Sequence, residues 1–333
     1  MGYTKQNFTS GQTLTAAHLN TMEDGIASIA SATIPTYWQA HMDTKISEIN
    51  AMNELGGGDT DSFIFITDLH LPRYNNNDNV ALIKYIIENT SVQKVFFGGD
   101  VVHATSDASG MESIRGLDKS LKNVKTHMMR GNHDSDVNTK QQFYDAMYRK
   151  QSDYCEMTSK LYYYTDNKPN KIRYIVMDSV YTSSNPVMTD TTQLSWMKDR
   201  ITELDNDWTV IIFRHSIWEP AKKANSIGDI NADANLVLNA LNEISSNTKC
   251  TVAGIIAGHC HRDYSGTADN GLLLIATTCD ANGTLASNYD PVSSNRTAGT
   301  TSAQAFDVVN VNPITRTIKL IRIGAGSNRE FTY

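Results

Sequence analysis

Seven side chains able to bind a metal cation recur along this chain at short spacings. Asp68 and His70 stand two residues apart, as do His259 and His261. Asp100 follows Gly98-Gly99, Asn132 follows Gly131 and leads directly into His133-Asp134, and His215 stands alone. In extended backbone residues i and i+2 face the same way, so each pair spaced by two converges on one point. A mixture of carboxylate, imidazole and amide oxygen suits borderline divalent ions such as Mn, Fe, Zn or Ni. The set Asp68, His70, Asp100, Asn132, His215, His259 and His261 exceeds what one ion needs. A carboxylate shared between two ions holds them about 3.5–4 Å apart, the separation used by two-metal hydrolases.

These residues fall where strands are expected to end. Short runs rich in Ile, Val and Phe predict strands over 63–67, 94–98, 124–129, 173–177, 208–213, 252–257, 272–277, 305–310 and 317–323. Amphipathic helices fit over 80–89, 140–150, 191–204 and 234–244. Taken singly, an Asp after a strand is commonly a turn or helix cap, and a lone strand-end histidine a structural residue. Yet five of the nine histidines (His70, His133, His215, His259 and His261) lie at predicted strand ends. Ligands of open α/β sheets bind outside the carboxyl ends of the strands, which gives these groups one address. Near-continuous apolar strands also predict a sheet buried on both faces, in an α/β fold.

The chain has 333 residues, 40% of them hydrophobic and 20% charged, enough for one large domain with an appendage. With 36 acidic against 29 basic side chains and a net charge of -7, nucleic acid held by generic electrostatics is not expected. No window approaches the roughly 18 apolar residues of a membrane span, so no membrane partner is expected. The first residues, Met-Gly-Tyr-Thr-Lys-Gln, form neither a secretory signal nor a myristoylation motif, and a cytoplasmic product is expected. The four cysteines are scattered and read as small core residues, although Cys260 lies between two of the histidines.

The first 58 residues differ from the rest. Leu19, Met22, Ile26 and Ile29 form a short helical seam over 13–31. A break at Ile34-Pro35 follows, then a second helical stretch with Trp38, Met42, Ile46, Ile49 and Met52. Gly56-Gly57-Gly58-Asp59 reads as a linker. Residues 1–58 are therefore expected to form a helical attachment or oligomerisation segment, and 59–333 a catalytic domain. That segment reads equally as a hairpin docked on the domain or as a stalk. The stretch 280–302, rich in Ser, Asn, Thr and Gly, reads as a long surface loop.

In order and approximate spacing, Asp68-Leu69-His70, Gly99-Asp100, Gly131-Asn132-His133-Asp134, His215 and Gly258-His259-Cys260-His261 resemble the calcineurin-like metallophosphoesterases. Gln193-Leu194-Ser195-Trp196 is similar to the phosphodiesterase branch of that family. The motifs extend over 68–261, and the trailing strands carry the domain to the C-terminus. The resemblance implies a four-layer αββα sandwich with an N-terminal helical extension and a dinuclear site on one edge. It implies that Asp68, His70 and His261 bind one ion, that Asn132, His215 and His259 bind the other, and that Asp100 bridges them. His133 matches a histidine that protonates the leaving alkoxide, with Asp134 orienting it, and the Cys260 side chain is expected to point away from the metals. No ligand position departs from the pattern. The implied chemistry is metal-dependent hydrolysis of a phosphodiester; two divalent ions are the only cofactor implied, and the sequence carries no Walker-type phosphate loop.

The stretch from Thr13 to Gly25 resembles the start of tail-fibre and minor structural proteins of phages infecting Gram-positive bacteria. The C-terminal Ile323 to Phe331 is similar to phosphoesterase domains found in such proteins. This implies an enzyme carried on a virion tail and acting at the host surface. Its substrate would be wall teichoic acid, a phosphodiester-linked polymer. Its partners would be other tail proteins or further copies of itself joined through the N-terminal helices. Two other functions stay open. One is a cytoplasmic cyclic-nucleotide phosphodiesterase or nuclease, the latter disfavoured by the acidic charge. The other is a non-catalytic receptor-binding tail protein, disfavoured by the costly intact ligand set. Arg73, His103 and Arg262 adjoin the motifs and read as phosphate contacts or as exposed loop and helix residues. Specificity is expected to come from loops 71–79, 103–120 and 280–302.

Overall fold

Apolar runs become strands here in two separate sheets. The computed structural model describes residues 33–71, 78–103, 108–135, 140–143, 145, 155–157, 160–179, 189–218, 230–281 and 296–333. The seam over 13–31, the tail-fibre-like stretch and Arg73 lie outside the described residues, as does most of the expected helix over 140–150, of which Lys140–Phe143 is seen. The first sheet contains β1 (Asp61–Ile66), β2 (Lys94–Phe97), β3 (Lys125–Met128), β11 (Ala305–Asn312), β12 (Thr317–Gly324) and β13 (Arg329–Thr332). Their spatial order is β13-β12-β11-β1-β2-β3. The second contains β4 (Glu156–Met157), β5 (Tyr163–Asn167), β6 (Ile172–Val176), β7 (Thr209–Phe213), β8 (Thr251–Ala257), β9 (Tyr264–Thr267) and β10 (Leu273–Ala276). Its order is β4-β5-β6-β7-β8-β10-β9.

Strands β1, β2 and β3 run parallel, as do β6, β7, β8 and β10; antiparallel strands extend the first parallel set on one side and the second on both. All nine predicted strands are present. Those not foreseen, β4, β5, β9 and β13, are short, and β5, β9 and β13 are partly exposed along much of their length, so they lack a continuous apolar run.

Burial follows the two-residue period of a strand. Ile211 and Phe213 join a core shared with the first sheet, whereas Val210 and Ile212 join a second core with Met197, Ile201, Val237 and Leu241. Those last four belong to the helices Thr191–Thr202 and Ala232–Ile244, which cover the outer face of the second sheet. Between the sheets, Phe96 of β2 stacks on Phe213 of β7 with centroids 4.3 Å apart. Phe63 of β1 meets Tyr174 of β6 edge-on at 5.4 Å. The result is the four-layer αββα arrangement. The burial on both faces expected of the apolar strands is met, with a neighbouring sheet on one face and helices on the other.

Helix α1 (Gln39–Leu55) buries Met42, Ile49 and Met52 and packs on β11 and β12. Its Lys45 and Glu48 both bond to Asn328, and His41 Nε2 accepts the Gly324 N–H. Residues Ile34, Trp38, Met42, Ile49 and Met52 share one core with β1 and β11. Residues 33–55 form part of the outer layer of the first sheet, and the turn Gly56-Gly57-Gly58-Asp59 leads from them into β1.

Two expected loops are also corrected. Within 103–120 lies a helix, Ala108–Ser120, whose Ile114 and Leu117, with Leu121 just beyond its end, are buried at spacings of 3 and 4. The start of the expected surface loop 280–302 is core: Asp280 and Ala281 are fully buried. No helix among the described residues is long and apolar enough to cross a membrane. All four cysteines are free and buried, and Cys260 packs in the second core.

Candidate metal centre

The loops leaving β1, β2 and β3 of the first sheet meet those leaving β7 and β8 of the second, and the site lies where the two sets converge. Of eight non-glycine residues with positive φ among those described, five are here: Asp68 (55°), His70 (51°), Asp100 (48°), His259 (68°) and His261 (51°). Such conformations cost on the order of 1–3 kcal/mol each and persist where the surroundings over-determine them. Two glycines permit the approach. A Cβ on Gly131 would lie 2.1 Å from Asp100 Oδ1, and one on Gly258 would lie 2.0 Å from Thr67 Oγ1 and 2.5 Å from Asp68 Oδ2.

The ligand atoms fall into two groups that share Asp100. Asp68, His70, Asp100 and His261 form one, and Asp100, His215 and His259 the other, each with its atoms within 4.8 Å of one another. In the first, His70 Nε2 faces His261 Nε2 at 3.1 Å and lies 4.0 Å from both Asp68 Oδ1 and Asp100 Oδ2. In the second, His215 Nε2 is 3.3 Å from Asp100 Oδ2 and 3.2 Å from Asn132 Oδ1, which brings the amide oxygen to the same point.

Outer atoms hold these ligands in place. Asp68 Oδ2 accepts from Thr67 Oγ1 (2.7 Å) and from the backbone N–H of His259 (2.9 Å), joining the two sheets. Asp100 Oδ1 accepts the His133 N–H at 2.8 Å. His215 Nδ1 sits 2.7 Å from the Gly98 carbonyl, so its proton is fixed there and Nε2 turns to the site.

The donor set fits a pair of cations. Asp68 Oδ1 is fully buried yet accepts no aligned hydrogen bond, although His261 Nε2 lies 3.3 Å away. Burial pushes both His70 and His259 down to about 3, so their rings are neutral and offer lone pairs. Burial disfavours a charged Asp68, but the His261 imidazole outweighs it and holds the carboxyl at about 2; Asp100, beside His215, also lies well below its ordinary range. Burial likewise opposes a charged His215, but Asp100 prevails and raises it to about 10. A proton there stands where a cation would neutralise the same carboxylate. Two neighbouring carboxylates, four imidazoles and an amide oxygen, converging on two points that share one carboxylate, form the arrangement that a dinuclear metal site requires.

His133 and Asp134 lie on the short helix Asn132–Ser135 beside the cluster. The half-buried His133 ring meets His70 edge-on at 4.8 Å. The Asp134 carboxylate accepts the backbone N–H groups of Gly131 (2.8 Å) and Val102 (3.1 Å), so it ties the β2 and β3 loops together. Burial, with Asp100 nearby, raises it to about 7.

A bracing layer was not apparent from sequence. Arg130, directly before Gly131, forms a two-pronged ion pair with Asp178 at 3.0 and 3.1 Å. Gln193 donates to the Asp178 carbonyl and accepts its N–H, and Ser179 Oγ accepts the His215 N–H. The Asn132 and His215 loops are thereby coupled through Asp178-Ser179. The signal available was Asp178 itself, an acid directly after a strand like Asp68 and Asp100, but with no imidazole nearby in sequence.

The sequence profile described as calcineurin-like phosphoesterase matches residues 62–263. No curated protein is a match. Among solved structures, the chain is similar to a dimetal phosphatase from Danio rerio at 16% identity and a TM-score of 0.57, over 82% of this chain and 99% of that one. It is also similar to GAP50, the anchor in the inner membrane complex of Plasmodium, at 13% identity and a TM-score of 0.51, over 82% and 89%. At these identities the likeness extends to the fold. In both cases it takes in more of the chain than the profile does.

Proposed function

Since the chain belongs to the calcineurin-like phosphoesterase family and is a metal-dependent phosphate ester hydrolase, we propose that its substrate is a phosphodiester. The observation that carries this reading is the position of His133. Its backbone is tied to Asp100, its ring lies against His70, and it stays half-buried at the rim instead of joining either group that contains Asp100. A diester expels an alkoxide, a poor leaving group that needs a proton, and a histidine beside the metal centre is suited to give one.

In this reading Asp68, His70 and His261 would hold one ion and Asn132, His215 and His259 the other, with Asp100 available to both. Mn, Fe, Zn and Ni all suit this donor set. Bound cations supply Lewis acidity toward water and the phosphate oxygens. Water oxygen forms the new bond to phosphorus and gives up a proton to solvent, the P–O bond to the leaving group breaks, and His133 donates its proton to the departing oxygen and regains one from solvent. A phosphomonoester and an alcohol result.

The physiological substrate we propose is wall teichoic acid, met at the surface of a Gram-positive host by an enzyme mounted on a phage tail. The phosphodiester backbone of that polymer and the resemblance of residues 13–25 and 323–331 to tail-associated proteins support it. The test is hydrolysis of bis-p-nitrophenyl phosphate against p-nitrophenyl phosphate by the chelated, full-length protein after return of Mn, Ni, Zn or Fe. Metal-restored preference for the diester is expected, followed by release of phosphorylated polyol from purified teichoic acid. Preference for the monoester with every metal would refute the diester assignment. Diester cleavage with inert teichoic acid would refute only the polymer.

A further inference from the structure

His103 lies outside both ligand groups, three residues after Asp100, yet its ring is held against them. Its backbone N–H donates to the Leu71 carbonyl at 2.9 Å, next to the parallel bridge between Leu71 and Val102. Its Nδ1 is 3.2 Å from His70 Nδ1. Its ring stacks on His133 with centroids 5.0 Å apart and planes inclined by 19°.

The tautomers follow from this geometry. His70 turns Nε2 toward Asp68, Asp100 and His261, so a metal at that point needs the Nε2 lone pair. The His70 proton then resides on Nδ1, where His103 Nδ1 stands ready to accept it, and the His103 proton resides on Nε2. Ligating histidines commonly present their second nitrogen to a carboxylate, carbonyl or water. Here another imidazole occupies that place, its plane inclined by 59° to that of His70, and the stack on His133 holds it there.

We propose that His103 is a positioning residue that fixes the tautomer and orientation of His70 and so sets the affinity of the first ion. This rests on the assignment of His70 as a ligand made above, and not on the choice of substrate. The nitrogens of His70, His103 and His133 also lie within 4.8 Å of one another, as a third cation would require. That group has no carboxylate, and His70 would have to lose both protons to serve two ions. A hydrogen bond needs neither.

The test is titration of the metal-free, full-length protein with Co2+, followed by its visible absorption, for wild type, His103→Phe and His103→Asn. Phenylalanine keeps a ring on His133 but has no acceptor for His70; the asparagine amide keeps an acceptor near the Nδ1 position. The expected result is two ions bound by all three proteins, with one site weakened about 10–100-fold in His103→Phe and retained within about threefold in His103→Asn. Equal affinities in wild type and His103→Phe would overturn the proposal, as would loss of a whole ion from either variant, which would make His103 a ligand. Failure of wild type to bind two ions would instead overturn the ligand assignment beneath it.

Discussion

Two buried clusters of charge lie a few residues apart in this molecule and resolve the same electrostatic problem differently. In one, Asp263 and Asp307 face Arg322 and Arg329. Arg322 spans both acids, with Nε to Asp307 Oδ1 at 2.8 Å and Nη2 to Asp263 Oδ1 at 2.6 Å. Asp307 Oδ2 also accepts from Arg329 Nη2 (2.8 Å) and Thr277 Oγ1 (2.7 Å). Two acids meet two permanent cations, and none of the four residues has a positive φ. In the other, Asp68 and Asp100 face imidazoles, an acceptor oxygen is left over, and five ligand positions hold left-handed backbone. Buried acids are not by themselves a sign of function. What distinguishes a site is that the chain withholds the counter-charge and leaves room for one to bind. The first cluster also serves the second, since Asp263 accepts the Thr278 N–H and Thr278 Oγ1 donates to the His261 carbonyl.

The sharpest way to break this contrast is to remove the shared carboxylate. Asp100→Asn should weaken both ions together, each by more than about 100-fold, because a ligand change exceeds what an outer partner costs. Metal analysis after dialysis checks this; loss of one ion alone would remove Asp100 from the bridging position. His133→Ala comes next. It should lower turnover about 10²–10⁴-fold while metal content stays near that of wild type. Metal lost with the activity would make His133 a ligand.

Arg322→Met tests the opposite cluster. It leaves the buried Asp307 and the partly buried Asp263 short of a partner, and a loss of about 3–5 kcal/mol in denaturant unfolding is expected, unrelieved by added metal. Recovery of that stability with divalent ions would erase the distinction between the clusters.

The smallest effect concerns His127 of β3, which is buried with its ring stacked on Phe96 at 4.2 Å. Burial, with Lys94 and Lys125 adding, holds its pKa well below the ordinary 6.5. The unfolded chain therefore takes up a proton there that the folded chain refuses. Its contribution is fully present above about pH 6.5 and is lost as pH falls. Between pH 6.5 and 5.5, wild type should lose about 1 kcal/mol more than His127→Leu, measured by denaturant titration at each pH. Parallel losses would place the proton elsewhere.

How much of this was legible before the fold depends on the range of the interaction. Asp68, Asp100, His215 and the pair His259/His261 were legible because each follows an apolar run, and the run tells where a strand stops. The braces were not. Arg130 and Asp178 are 48 residues apart, and Arg322 and Asp263 are 59, with no periodicity linking them. The helix Ala108–Ser120 escaped notice because Gly110, Gly116 and its serines lower helix propensity, and three apolar contacts at Ile114, Leu117 and Leu121 decide it instead. The division into two sheets was legible only through the resemblance of the motifs, not from the apolar runs themselves. Ile211 and Ile212 look alike in sequence, yet one faces a sheet and the other a helix.

The measurement that bears most directly on the central claim is anomalous diffraction from crystals of the full-length protein loaded with Mn2+. The account predicts two peaks per chain, about 3.5–4 Å apart, on either side of the Asp100 carboxylate, and none at Asp263 or Asp307. A single peak, or a filled arginine cluster beside an empty Asp100, would contradict it.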